Sequence, residues 1–126
     1  MVEHVREHSL IGQPDHGRIR PLKREEIYRV LDRMTEGLPK AGRILLVPPD
    51  ITRLYSYAGV ITSYLYKKLS VDALVRILPA TGTHRPMTPG ERCRFFGRDI
   101  PDHAFLIHDW CRDTVDIGTV PGAYCA

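Results

Sequence analysis

Residues 80–86 contain side chains that can transfer protons and bind anions. His84 is the natural proton donor and acceptor near neutral pH, Thr83 adds a hydroxyl group, and Arg85 can bind an anion. Gly82 allows the backbone to turn tightly just before them. This grouping is typical of a site for acid–base chemistry, although a single histidine in a loop is more often simply solvated.

A second polar grouping contains Asp50 and Arg53. The two residues lie three apart, so both side chains can face one pocket at a turn between a strand and a helix. The planar guanidinium of Arg53 suits a substrate carboxylate, and Asp50 could orient it or bind a substrate hydroxyl. Alternatively, Asp50 caps the next helix and Arg53 lies on the surface, because aspartate is a favoured N-cap residue. The spacing alone leaves both interpretations open.

A third grouping, His108 and Asp109, follows a later apolar run. Adjacent residues on a strand point to opposite faces, so these two side chains do not easily enter one site. The cysteines, Cys93, Cys111 and Cys125, are odd in number and have no CxxC spacing. They predict neither a disulfide framework nor a zinc site.

The hydrophobic pattern predicts helices and short strands in alternation. Amphipathic helices are predicted at residues 22–34 and 57–69. Thr88 and Glu91 form the sequence signature of a capping box at the start of a third helix. Strands are predicted at residues 44–47, 73–78 and 104–107, and a more polar fourth strand is predicted within residues 114–120. The alternation predicts an α/β fold, a three-layer domain with a mostly parallel sheet of about four strands.

The predicted fold gives the three polar groupings a common location. Ligand sites of parallel α/β sheets lie beyond the carboxyl ends of the strands. Each grouping follows a predicted strand, so we expect all three to meet at one edge of the sheet.

Composition and charge restrict the function classes. With 126 residues, 43% of them hydrophobic and 26% charged, the chain is typical of one globular domain and not of a disordered chain, a fibre or a coiled coil. The net charge of +3 is spread along the chain, which argues against a nucleic-acid partner. No segment has the pattern of a signal peptide or a membrane span. We therefore expect a soluble, cytoplasmic protein with no membrane partner.

Residues 1–21 contain turn-forming residues and no apolar period. They predict an N-terminal arm that precedes a single domain at residues 22–126. His4 and His8 have a spacing that could place two metal ligands on one helix face, but two solvated histidines on a loose terminus are the favoured interpretation.

Two motifs, taken together, are similar to those of the nickel-pincer lactate racemase family. They are Pro-Asp-Ile-Thr-Arg at residues 49–53 and Ala-Thr-Gly-Thr-His-Arg-Pro-Met-Thr at residues 80–88. His-Asp-Trp at residues 108–110 resembles the next segment of the family. The resemblance extends over roughly residues 40–121 and corresponds to the front part of the first domain of the family. It implies racemisation or epimerisation of a 2-hydroxy acid, with a nickel-bearing pyridinium mononucleotide that accepts a hydride from the substrate.

The resemblance implies roles for five residues of this chain. His84 corresponds to one of two catalytic histidines that exchange the hydroxyl proton, and Asp50 to the active-site aspartate. Arg53 corresponds to the arginine that holds the substrate carboxylate. Thr52 and Arg85 belong to the same motifs, and the resemblance assigns them to cofactor binding.

The family also has functional residues that this sequence does not match. Its second catalytic histidine, the lysine tethered to the cofactor and the histidine that ligates nickel all follow the matching segment. We therefore expect this chain to be an incomplete first domain that is inactive alone and does not hold the cofactor by itself. A gene fragment, or a protein completed by a second polypeptide, would both fit this expectation.

Two other functions are open at the level of sequence. The chain could be a stand-alone module that binds a hydroxy acid or a mononucleotide through Arg53 and Arg85 without catalysis. It could also be a small hydrolase that uses Asp50, His84 and His108 around a different metal, although it has no metal-binding spacing such as HExxH.

Overall fold

The structure, a computed structural model, describes residues 21–39 and 41–124. The predicted arm therefore lies, except for its last residue, outside the described residues, as do His4 and His8. The contacts between Cα atoms divide the chain into two units, one up to residue 40 and one from residue 41 onward. No helix within the described ranges is both long enough and apolar enough to cross a membrane.

The first unit contains helix α1 (Arg24–Glu36), close to the predicted bounds. Its start is favourable for two reasons. The backbone N–H of Lys23 donates to the carboxylate of Glu26 at 2.8 Å, and acidic residues in the first turn complement the helix dipole. The helix ends at Glu36, and Gly37 is its C-cap.

The second unit alternates strands and helices, which confirms the α/β prediction. Its elements are β1 (Arg43–Leu46), α2 (Ala58–Leu69), β2 (Leu74–Ile77) and α3 (Pro89–Phe96). Short 3-10 turns occupy Ile51–Arg53, Asp102–Ala104 and Gly122–Tyr124. The strands pair in parallel, with Arg43 opposite Leu74 and Leu46 opposite Ile77. Helix α2 forms the crossover that a parallel pair requires.

The core of this unit forms under one face of the two-stranded sheet. Ile77 is completely buried and belongs to a cluster with Met87, Phe95 and Phe96. Leu74, at the other end of the same strand, is half exposed, so the core covers only the end of β2 that contains Ile77. A further close contact joins α2 and α3, because a Cβ atom on Gly59 would lie 1.9 Å from the carbonyl oxygen of Phe95. Only glycine permits this approach of the two helices.

The predicted count of four strands is not confirmed. The third predicted strand, 104–107, is reduced to one bridge between Phe105 and Ile77. The reason is local, since Ala104 ends a 3-10 turn and the Phe105 N–H donates back to Asp102 at 3.1 Å. Only the Leu106 N–H reaches Ile77 of the neighbouring strand, at 2.7 Å. Residues 114–120, predicted as a fourth strand, are exposed and form no ladder with any described residue.

Candidate active site

The loops that follow β1 and β2 lie side by side, as predicted from the parallel sheet. A parallel bridge joins Pro49 to Ala80, and the Ala80 N–H donates to the carbonyl of Pro48 at 2.7 Å. This pairing continues the register of the strands beyond their ends. It brings the segment that contains Asp50 next to the segment that contains His84.

Asp50 is a buried carboxylate, only 5% exposed. Its Oδ1 atom accepts hydrogen bonds from the backbone N–H of Thr52, at 3.0 Å, and from the Thr52 hydroxyl. These bonds cap the 3-10 turn Ile51–Arg53. Its Oδ2 atom lies 2.8 Å from Nδ1 of His84. Asp50 is therefore both the helix cap and the partner of the histidine, so the two interpretations of its position are compatible.

The surroundings of Asp50 favour its charged form. Burial opposes ionisation, but hydrogen bonds from Thr52 and His84 outweigh it, and together they lower the pKa of Asp50 below its ordinary value of 3.8. The ionised carboxylate can accept a hydrogen bond from the Nδ1–H group of His84. In the neutral imidazole, the second ring nitrogen, Nε2, then carries no proton and can act as a base.

The loop that presents His84 turns through Gly82, which has a positive φ of 57°. A side chain would be strained in this left-handed conformation, so the predicted need for glycine is confirmed. The backbone N–H of His84 donates to the carbonyl of Thr81 at 2.9 Å and closes the turn. The imidazole itself is 59% exposed, which leaves its outer edge accessible to a ligand.

Arg85 forms a bidentate ion pair that the sequence interpretation missed. Its two terminal nitrogens contact the two carboxylate oxygens of Glu91 at 2.9 and 2.7 Å. Glu91 also accepts from the backbone N–H of Thr88 at 2.8 Å, which confirms the predicted capping box. The guanidinium first, then the Thr88 bonds, lower the pKa of Glu91 to about 2. The capping box was the available signal, because it turns the Glu91 side chain back toward the preceding loop.

These residues enclose one shallow cavity of about 150 Å³. Among its lining residues are Asp50, Thr52, His84 and Arg85, which the sequence assigned to the site, together with Glu91. Ile51 and Met87 supply its apolar surface. The exposed Arg53, on the same 3-10 turn as Thr52, is not among its lining residues.

His108 is not brought to this cavity. Its ring is largely buried, with Nδ1 3.8 Å from a carboxylate oxygen of Asp113, and it lines a different, smaller cavity. The arrangement of Asp50, His84 and His108 that a metal-dependent hydrolase would need is therefore not formed. In the described ranges, no group of three or more His, Cys, Asp or Glu side chains is placed to hold a metal ion. These residues do not fit a nickel-ligand set, so the ligands of such an ion would have to come from elsewhere.

Comparison with known proteins gives one positive result. The family model described as the lactate racemase N-terminal domain matches residues 7–122. The comparisons with curated proteins and with solved structures found no match.

Proposed function

This chain belongs to the lactate racemase N-terminal domain family, and on that premise we propose that it is the N-terminal portion of a nickel-dependent racemase or epimerase of 2-hydroxy acids. The observation that supports the proposal is the contact of 2.8 Å between Nδ1 of His84 and the buried carboxylate of Asp50. A carboxylate that holds a histidine in place is an arrangement suited to acid–base chemistry, which supports the proposed role of the motif.

The Asp50–His84 pair would handle the hydroxyl proton of the substrate. To invert a carbon that bears a hydroxyl, its C–H bond must break and later re-form. The hydrogen would leave as a hydride to the nickel-bearing cofactor that the family implies, while the hydroxyl proton leaves to a base, which gives a planar 2-oxo acid. The hydride and the proton then return. Asp50 orients the imidazole through Nδ1 and stabilises its charged form. Nε2 of His84 then removes the proton from the substrate hydroxyl and returns it.

One histidine can serve only one face of the planar intermediate. A second base on the opposite face is needed for the other stereoisomer, and we propose that it comes from a second polypeptide or from a further part of the enzyme. The same source would supply the nickel ligands that the described residues lack.

The substrate carboxylate has two candidate partners with different availability. Arg85 already shares both terminal nitrogens with Glu91. No described side chain pairs with the exposed guanidinium of Arg53. We therefore assign the carboxylate to Arg53, which requires a bound substrate to extend beyond the residues that line the cavity.

The pairing of Arg85 also bears on the alternative function, a stand-alone anion-binding module. That function needs Arg53 and Arg85 as anchors for one anion. Because the Arg85–Glu91 pair neutralises one of these anchors, the catalytic proposal explains the site better.

The test is an assay of interconversion between the two forms of a 2-hydroxy acid. The protein is purified from its own source with any polypeptide that accompanies it, and the stereoisomers are separated by chiral chromatography. We expect the native protein to interconvert the stereoisomers. In His84→Gln the rate of interconversion should fall by at least about 100-fold. The matched control is His103→Gln, since His103 is an exposed histidine that does not line the cavity. Interconversion at the native rate in His84→Gln would overturn the assignment of that residue.

Native mass spectrometry with nickel analysis of the same material tests the proposed partner. A second chain together with nickel supports an enzyme completed by another polypeptide. A monomer without nickel contradicts that part of the proposal and favours the binding module.

A further inference from the structure

A second cavity is lined in part by residues on either side of His84 in the loop that follows β2. It is lined by Thr81, Arg92 and His108 together with apolar side chains that include Met87. Met87 also lines the cavity of the candidate site, so the two cavities share this residue. The second cavity measures only about 20 Å³.

Two polar atoms in this region have no hydrogen-bond partner among the described residues. They are the hydroxyl oxygen of Thr81 and Nε of Arg92, and both are buried. Thr81 is a buried residue, with only 6% of its surface exposed. Buried polar groups in folded proteins are nearly always paired with protein or with ordered water, so these two atoms point to a ligand that is not protein.

The size and the charge of the surroundings decide what that ligand is. The guanidinium of Arg92 already bonds to the carboxylate of Asp102 at 3.0 Å and lies 5.2 Å from the ring centre of Phe105. Its charge is therefore balanced, and an anion would meet no uncompensated cation. A cavity of about 20 Å³ holds one water molecule and no larger group.

We propose that one water molecule is bound in this cavity, where it accepts a hydrogen bond from Nε of Arg92 and bonds to the Thr81 hydroxyl. Thr81 belongs to the turn that presents His84, because its carbonyl accepts the His84 N–H at 2.9 Å. Arg92 belongs to α3. The water links the loop to the helix, so Thr81 and Arg92 are positioning residues for His84.

A high-resolution crystal structure grown in bromide in place of chloride tests the ligand directly. We expect a single peak within hydrogen-bond distance of both atoms, without anomalous scattering. An anomalous peak at this position would show bromide instead, and an empty cavity would show no ligand. Either result overturns the proposal.

The positioning role is tested by hydrogen exchange at the His84 amide. Thr81→Val removes the hydroxyl and keeps the shape of the side chain, and we expect about fivefold faster exchange at His84. Thr81→Ser keeps the hydroxyl and should restore the native rate. The matched control is Thr83→Val, an exposed threonine of the same loop, which should leave the rate unchanged.

Exchange at Ile77 separates a local effect from a global one. This amide belongs to the buried end of β2, and its exchange rate should be the same in the native protein and the three variants if only the loop is affected. An unchanged His84 rate in Thr81→Val, or equal acceleration in Thr81→Ser, contradicts the positioning role. These measurements require no catalysis, so their outcome is independent of the proposed racemase activity.

Discussion

Two side-chain pairs line the same cavity, and they differ in how deeply the carboxylate is buried. In the Asp50–His84 pair the carboxylate side chain is 6% exposed and the imidazole is 59% exposed. In the Arg85–Glu91 pair the guanidinium is 66% exposed and the carboxylate 25%. The first pair has a buried anion and an accessible ring, whereas the second has both partners in contact with solvent.

The pairs also differ in their ability to change charge. An imidazole gains and loses a proton near neutral pH, so the first pair can exchange protons with a ligand. A guanidinium stays protonated in proteins, and the pKa of Glu91 is lowered to about 2, so the second pair remains charged. We conclude that the first pair is suited to chemistry and the second to fixing the loop against α3.

The substitution Asp50→Asn should have the largest effect, and this effect is on the turnover rate. The amide cannot stabilise a charged imidazole, so we expect the rate of interconversion to fall by about 10³-fold. The comparison variant is Glu91→Gln, which removes the charge of the other pair and keeps a side chain suited to the capping box. Its turnover should change by only a few fold. Equal losses in the two variants would contradict the division of roles between the pairs.

The next effect concerns the two arginines. Arg53→Ala removes a guanidinium that pairs with no described side chain, so we expect KM for the hydroxy acid to rise by about 10- to 100-fold with a smaller change in kcat. Arg85→Ala should raise KM much less, because Arg85 is already occupied by Glu91. Steady-state kinetics of both variants would show the reverse order if Arg85 were the carboxylate anchor.

A smaller effect is expected on stability in acid. A carboxyl group whose pKa is lower in the folded chain than in the unfolded chain stabilises the fold. This stabilisation is fully present at pH values above the pKa of the unfolded chain, and it is lost as pH falls through the pKa of the folded chain. For Glu91 the stabilisation is therefore lost between pH 4.5 and about pH 2. Urea unfolding at several pH values across this window gives the slope of the free energy of unfolding against pH, which counts the protons taken up on unfolding. This slope should be shallower in Glu91→Gln, by the equivalent of up to about one proton. An unchanged slope would show that Glu91 is not paired in solution.

The smallest effect is that of salt on the two carboxyl groups. Salt screens exposed pairs far more than buried ones. In about 1 M salt we expect the pKa of Glu91 to rise toward 4.5, while the pKa of Asp50, lowered by hydrogen bonds as well as charge, stays low. Carbon NMR titration of both carboxyl groups measures this directly. A larger salt effect on Asp50 would reverse the comparison.

Much of the fold was predictable because its signals are local. Periodic apolar residues predicted α1 and α2, and the capping box of Thr88 and Glu91 predicted the start of α3. The parallel strands β1 and β2 were predicted from their short apolar runs. The strand predicted at 104–107 failed because hydrogen bonds to the preceding 3-10 turn replace most of the ladder, and an apolar run does not reveal this competition.

For the candidate site, too, local features were predictable from the sequence and contacts between distant residues were not. By itself, the sequence determined that two polar loops follow two parallel strands, because strand periodicity and the parallel topology require it. Only the tertiary structure decided the pairings: His84 with Asp50, 34 residues away, and Arg85 with Glu91 rather than with a free anion. It also decided that His108 lies in a separate cavity. The physical reason is that hydrogen bonds and charge pairs act over about 3 Å, a precision that depends on how loops pack and that residue spacing along the chain does not specify.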